Sequence, residues 1–167
     1  VINSLKRAGI SKVVMMTGDS ERTARAVAAQ IGVDEYYSEV LPEDKAGFVE
    51  REKAAGRKVI MIGDGINDSP ALSAADVGIA ISDGAELARE IADVTIGADN
   101  LYEIVTLKAI SNGLMKRIHK NYRSIILINA GLIALGVTGI IQPTTSALLH
   151  NTSTLVIGLK SMQNLID

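Results

Sequence analysis

The sequence of 167 residues contains no cysteine and no tryptophan, with a single phenylalanine and three prolines. Without cysteine, a disulfide framework and any thiolate metal site are excluded. Aromatic residues make up only 3% of the chain although hydrophobic residues reach 47%, and the net charge of −2 gives no reason to expect a nucleic-acid partner. The most informative lack is local. Charged side chains are frequent from Lys6 to Arg123, yet none occurs from Ser124 to Leu149. The chain therefore reads as a soluble part followed by a membrane-like part. No signal peptide opens it: Val1 to Arg7 already has the pattern of an amphipathic helix. The missing initiator Met points to a piece of something longer, although trimming would give the same start.

Glycine and apolar runs divide the first part. The pattern predicts a helix over Val1–Ala8, a strand over Lys12–Thr17, a helix over Glu21–Ile31 and a strand over Tyr36–Val40. A helix over Glu43–Ala55, a strand over Lys58–Ile62 and a helix over Pro70–Ala75 follow. Val77–Ile81 and Val94–Ile96 read as strands on either side of a helix over Ala85–Ala92. Strands alternating with helices at this spacing predict an α/β fold with a Rossmann-like, doubly wound parallel sheet.

The stretch with most chemical content is Gly63-Asp64-Gly65-Ile66-Asn67-Asp68-Ser69-Pro70, entered from a short apolar strand and left through Ser-Pro, a good helix opening. Two carboxylates at the carboxyl end of a parallel strand make an oxygen-rich site of the kind Mg²⁺ prefers. The duller explanation for half of it is an Asx turn or helix cap at Asp68. In a parallel sheet two further elements converge on that edge. Thr17-Gly18-Asp19 ends the strand before it, and Lys45 stands on the helix after Leu41-Pro42. Alone, the first would be a turn and the second a surface lysine. Together they offer a hydroxyl, backbone amides, an ammonium and carboxylates, the set that phosphoryl transfer needs for positioning and charge neutralisation.

These blocks, with Ala75-Asp76-Val77 and Ala92-Asp93-Val94, resemble the second half of the phosphorylation domain of P-type ATPases, within the haloacid dehalogenase superfamily. The resemblance covers almost the whole chain and extends to the last two membrane helices of the heavy-metal-translocating branch. It implies that Asp64 coordinates Mg²⁺ directly, that Asp68 supports that site, and that Thr17 and Lys45 contact the phosphoryl group. It implies too that Gly18 and Asp19 lie near the nucleotide and that Asn67 orders the loop. Mg²⁺ and ATP are the implied cofactors. The family's nucleophile lies in Asp-Lys-Thr-Gly, a sequence that does not occur here. The expected partners are therefore the remainder of the same pump (actuator, nucleotide-binding and earlier membrane domains) and the lipid bilayer. The chain alone is expected to be inactive.

The second part begins with apolar residues at helical spacing from Leu101 to Ile118, ending in Lys116, Arg117, His119, Lys120 and Arg123. A basic cluster before an apolar run places that side in the cytosol. Ile125–Ile141 supplies 17 uncharged residues, close to the minimum for a spanning helix. After a turn at 143–145, Ser146–Leu159 would return across the membrane with Lys160 at its surface. The expected divisions are a half phosphorylation domain over 1–99, a connecting helix over 100–123, spans over 124–142 and 146–160, and a cytosolic tail over 161–167. The expected setting is a bacterial plasma membrane with several crossings. His150 to Thr154 put polar groups at mid-span, where they must face a bundle interior. The resemblance makes His150 the leading ligand for a transported divalent transition metal, with Ser153, Thr154 and Asn129 behind it. Two other readings compete: a membrane-anchored phosphatase of the same superfamily, and a non-catalytic membrane-anchored regulatory module.

Overall fold

A computed structural model of the chain describes residues 1–64, 66–81, 86–97 and 100–165. Gly65 of the loop, Ala85 at an expected helix start, Asp99 at an expected boundary and Ile166 and Asp167 of the tail lie outside the described residues. The chain divides into two compact units, Val1–Thr106 and Leu107–Asp167.

The first unit runs α1 (Ile2–Arg7), β1 (Val14–Met16), α2 (Glu21–Ile31), β2 (Glu35–Tyr37), α3 (Pro42–Ala54), β3 (Ile60–Gly63), a 3-10 turn (Ile66–Asp68), α4 (Ser69–Ala74), β4 (Val77–Ile81), α5 (Glu86–Ile91) and β5 (Val94–Ile96). Every pairing among the described residues is parallel. Strand β1 pairs with β2, and β3, β4 and β5 form a second sheet in that order. The parallel α/β expectation is thus borne out, with the strands in two groups. Strands β1 and β2 are three residues each, shorter than the apolar runs that announced them.

The core is aliphatic. Val49 of α3, Met61 of β3, Ala71 and Leu72 of α4 and Ala80 of β4 form one buried cluster, against which Met16 of β1 packs. Burial in β4 explains why its sequence does not alternate: Gly78, Ile79 and Ala80 are all covered, as expected for a strand with elements on both faces.

At the amino edge of the sheets one device occurs three times. The residue before β2 is Asp34, before β4 Asp76 and before β5 Asp93. Each donates its backbone N–H to a carbonyl of the neighbouring strand segment and takes back that same residue's N–H on its carboxylate. Asp34 does so with Val13 at 2.9 and 2.8 Å, Asp76 with Val59 at 3.0 and 2.9 Å, and Asp93 with Gly78 at 2.9 and 2.8 Å. The clasp gives an N–H at or just before the amino end of a strand a side-chain acceptor. Lys6 also bonds Asp34, and Lys58 reaches Asp76 at 3.0 Å.

The second unit corrects several expected boundaries. Helix α6 runs unbroken from Tyr102 to Val137, and α7 spans Pro143–Ser161. The connecting helix and the first apolar segment are therefore one helix with no break at 123–124. The turn falls before Pro143, through Gly139 at φ +74°, a left-handed conformation that glycine adopts without a Cβ penalty. Among the described residues no helix is long and apolar enough to cross a membrane. The expected hairpin of two spans is therefore not shown, and each helix departs from a span in its own way. Only 14 residues of α6 follow Arg123, about 21 Å at helical rise against a hydrocarbon core of roughly 30 Å. Helix α7 has 19 residues, more than the part of α6 after Arg123, but His150 to Thr154 interrupt its apolar surface. The two helices cover each other only in part: Ser146, Ser153, Ile157 and Ser161 of α7 are half-buried, while Leu127, Ile133, Val137, Leu148 and Leu155 are exposed.

Candidate active site

Strand β3 carries the backbone to the carboxyl edge of its sheet, and Asp64 follows directly. The strand ends on Gly63 because no side chain fits there. A Cβ on Gly63 would stand 2.5 Å from the Asp68 Cβ and 2.9 Å from its Cγ. Asp68 is thereby folded back over the end of the strand, only 7% exposed. Its Oδ1 accepts from Lys45 Nζ at 2.7 Å, both side chains being largely buried. Lys45 arrives there on α3, which starts at Pro42 after an extended Leu41 and packs against α4. Asp68 occupies the position before α4 yet makes no capping bond to it. The cap explanation for this residue is therefore set aside in favour of the ion pair.

Asp64 is different. Its carboxylate is exposed and makes no hydrogen bond or ion pair with any described residue. Asn67, on the 3-10 turn, is exposed as well. Ser69, next to Asp68, is buried and its hydroxyl has no partner among the described residues. This orphaned hydroxyl is a site feature that the sequence disguised, since Ser-Pro reads simply as a helix opening.

The donor set suits a hard divalent cation. Mg²⁺ is commonly held by one or two carboxylates, with water and substrate phosphate completing its shell. Asp64 with a free carboxylate and Asp68 with one oxygen on Lys45 match that description. No group of three or more His, Asp or Glu residues able to enclose a metal occurs among the described residues. Asp64 would hold the ion directly, and Asp68 would hold Lys45 beside it.

Thr17, Gly18 and Asp19 follow β1, on the carboxyl side of the other sheet. Thr17 Oγ1 donates to Asp19 Oδ2 at 2.9 Å and accepts the Asp19 N–H at 3.1 Å, so the pair closes on itself as a turn. The Thr17 N–H donates to the Tyr37 carbonyl at 3.0 Å. A cavity of about 420 Å³ beside β2 and α3 is lined by Glu21, Tyr37, Glu39, Phe48 and Arg51 and includes neither Lys45 nor Asp64. Glu21 serves the fold there. Ser38, Tyr36 and Arg25, in falling order of effect, all donate to it and hold its carboxyl below the usual range.

In the second unit, His150 Nδ1 and Asn129 Oδ1 are 2.7 Å apart, joining α7 to α6. Ser153 and Thr154 donate their hydroxyls to the His150 carbonyl at 2.8 and 3.0 Å. The four expected membrane residues are thus partly drawn together, with both hydroxyls turned onto their own helix. Asn129 and His150 also line a cavity of about 650 Å³ with Ile133, Gly136 and Pro143.

Residues 1–76 match the family model for haloacid dehalogenase-like hydrolases. The manganese-exporting P-type ATPase of Mycobacterium leprae is 39% identical over 158 residues, covering 94% of this chain and 22% of that protein. The probable copper-importing P-type ATPase A of Enterococcus hirae is 42% identical over 144 residues, covering 85% and 20%. A solved structure of a zinc-transporting PIB-type ATPase gives a TM-score of 0.81 at 30% identity, covering 99% of this chain and 27% of that one. Over nearly its whole length the chain is similar to a segment of heavy-metal P-type ATPases. It spans about a fifth of the length of the curated relatives it matches. Within this segment, Lys45 and Asp68 are separately legible in the sequence, but their pairing is not. A lysine 23 residues before an aspartate carries no sign of contact until α3 is laid against the β3 loop.

Proposed function

We propose that this chain is part of an ATP-driven pump that moves a divalent transition-metal cation across a membrane through an aspartyl-phosphate intermediate. The observation that carries this is the asymmetry of the two carboxylates after β3: Asp68 buried against Lys45, Asp64 exposed and unpaired among the described residues. A structural pair of acids would both be satisfied. A free carboxylate beside a fixed lysine suits a charged phosphoryl group and its counter-cation. Mg²⁺ bound there would neutralise charge on the phosphoryl oxygens. Lys45 would offset the remaining charge, Thr17 would open from Asp19 to bond a phosphoryl oxygen, and Asn67 would shape the loop. Gly18 and Asp19 would face the nucleotide, ATP. The phosphoryl acceptor would come from a segment outside this sequence, because Asp-Lys-Thr-Gly is absent from it. The chain alone should then turn over no ATP.

The exposed apolar side chains of α6 and α7 favour a bilayer and further helices as their surroundings. In that setting Lys116 to Arg123 would lie at the cytosolic surface, and the polar middle of α7 would face a bundle interior. The relatives named above handle manganese and copper, so the cargo is proposed only as a transition metal, with His150 as its leading ligand, Asn129 as its orienting partner, and Ser153 and Thr154 behind. The test is made in the full-length pump. Asp64→Asn should reduce phosphoenzyme formation from ATP by at least about a hundredfold, while His150→Ala should leave phosphorylation by ATP possible but abolish its dependence on the transported metal. Wild-type phosphoenzyme levels in the Asp64→Asn variant would remove the Mg²⁺ reading.

A further inference from the structure

The second unit has an unusual charge distribution. From Ile104 to Ile166 the sequence holds Lys108, Lys116, Arg117, Lys120, Arg123 and Lys160, and no acidic residue at all. These cations therefore have no counter-ion within that stretch. The structure separates them by use. Arg117 donates to the Ser161 carbonyl at 2.9 Å and the Asn164 carbonyl at 2.7 Å, and it also bonds Gln163, so it caps the carboxyl end of α7. Asn121 adds a bond to Ser161 Oγ at 2.6 Å. Lys116, Lys120 and Arg123 take no part. They stand at i, i+4 and i+7 on another face of α6, exposed and without any partner among the described residues. With His119, whose Nδ1 lies 2.7 Å from the Met115 carbonyl, they line an open concavity of about 700 Å³ that ends at Ser124 and Leu127, where the uncharged run begins.

We propose that Lys116, Lys120 and Arg123 form a docking strip for the phosphate groups of anionic phospholipids, in the leaflet that the apolar end of α6 enters. The inference rests on the membrane reading above and adds a headgroup preference to it. Three features select lipid over other anions. The strip is open and about 10 Å long at helical rise, so one free phosphate could engage only part of it, whereas adjacent headgroups can satisfy all three cations together. It continues without interruption into Leu127 and the apolar surface, as an amphiphile requires. Clustered basic residues just outside an apolar helix gain roughly fivefold in affinity per cation from an anionic surface. Three such cations give roughly a hundredfold.

The test uses the full chain reconstituted into vesicles of phosphatidylcholine alone and of phosphatidylcholine mixed with phosphatidylglycerol. Flotation and carbonate extraction read insertion. Native mass spectrometry of the re-extracted protein reads which lipid stays bound. The expected result is retention of phosphatidylglycerol over phosphatidylcholine by more than about tenfold. It should be lost in the triple variant Lys116→Gln/Lys120→Gln/Arg123→Gln and kept in Lys108→Gln/Lys160→Gln. Carbonate-resistant insertion with no phosphatidylglycerol preference would overturn the strip and leave the membrane reading standing. Failure to float with either vesicle would overturn both. Displacement of the lipid by millimolar inorganic phosphate would overturn the lipid assignment, because a simple anion would then suffice.

Discussion

The ion pair between Lys45 and Asp68 allows a prediction about stability that is independent of transport. At 2.7 Å the gross attraction is about 6 kcal/mol for an effective dielectric constant near 20, and desolvation of both groups cancels much of it. Removing one partner is a different matter. Lys45→Met keeps the packed stem but leaves the Asp68 carboxylate without its only charged partner among the described residues, wedged against Gly63 where little water reaches. Uncompensated buried charges typically cost about 3–5 kcal/mol. Since the two side chains keep 15% and 10% exposure, a loss of about 2–4 kcal/mol is expected here. Asp68→Asn should cost about 1 kcal/mol, because the flexible Lys45 can swing its ammonium into solvent. The double variant should then be more stable than the sum of the single effects predicts by more than about 1 kcal/mol. Urea unfolding of the full chain, followed by hydrogen exchange in α3 and β3, reads the first unit without interference from α6 and α7. Strictly additive effects, or a Lys45→Met loss below about 0.5 kcal/mol, would refute the claim that Asp68 is held in place by this lysine.

Two further consequences concern the same unit. Gly63→Ala would push a Cβ into Asp68 and should lower stability by about 1–3 kcal/mol, with loss of the Lys45 contact visible as altered exchange in α3. A variant as stable as wild type would mean that the loop has room the structure does not give it. The Asp76 carboxyl is held below its usual range, first by the Val59 N–H and then by Lys58; Asp34 is held down first by Lys6 and then by the Val13 N–H. Both are depressed in the folded state, so their contribution is fully present above the unfolded carboxylate value near about 4 and is lost as pH falls through the lower folded value. Asp76→Asn keeps an acceptor for Val59 but cannot titrate, so acid unfolding should begin from a lower neutral-pH stability and follow a shallower slope below about pH 4. An unchanged slope would remove Asp76 from the acid response.

Much of the first unit was legible because its signals are local. The run Glu21–Ile31 between Ser20 and Gly32 gave α2 its limits, and Val77–Ile81 and Val94–Ile96 gave β4 and β5 theirs. Boundaries slipped where pairing decides them. Tyr36–Val40 reads as five residues of strand, but Glu39 at φ +52° turns the chain out of the ladder after Tyr37. In the second unit the absence of charge after Arg123 reads as the start of a new element. A helix is indifferent to charge at that scale, and α6 passes through the boundary and stops only where Gly136 and Gly139 loosen it.

The two edges of the parallel sheets use the same side chain in opposite ways, and this contrast is what the sequence could not convey. Asp34, Asp76 and Asp93 each precede a strand, and each is consumed by the backbone of its neighbour. They are part of how the sheets begin. Asp64 and Asp68 follow a strand, and neither carboxylate takes a backbone N–H from the described residues. An acid at that edge finds a side-chain partner, as Asp19 finds the Thr17 hydroxyl, or remains free. Asp68 finds Lys45; Asp64 finds nothing among the described residues. Composition treats all five aspartates alike, and spacing separates them only as before or after a strand. That position relative to the strand direction decides which are structural, and it leaves Asp64 as the carboxylate with coordination to give.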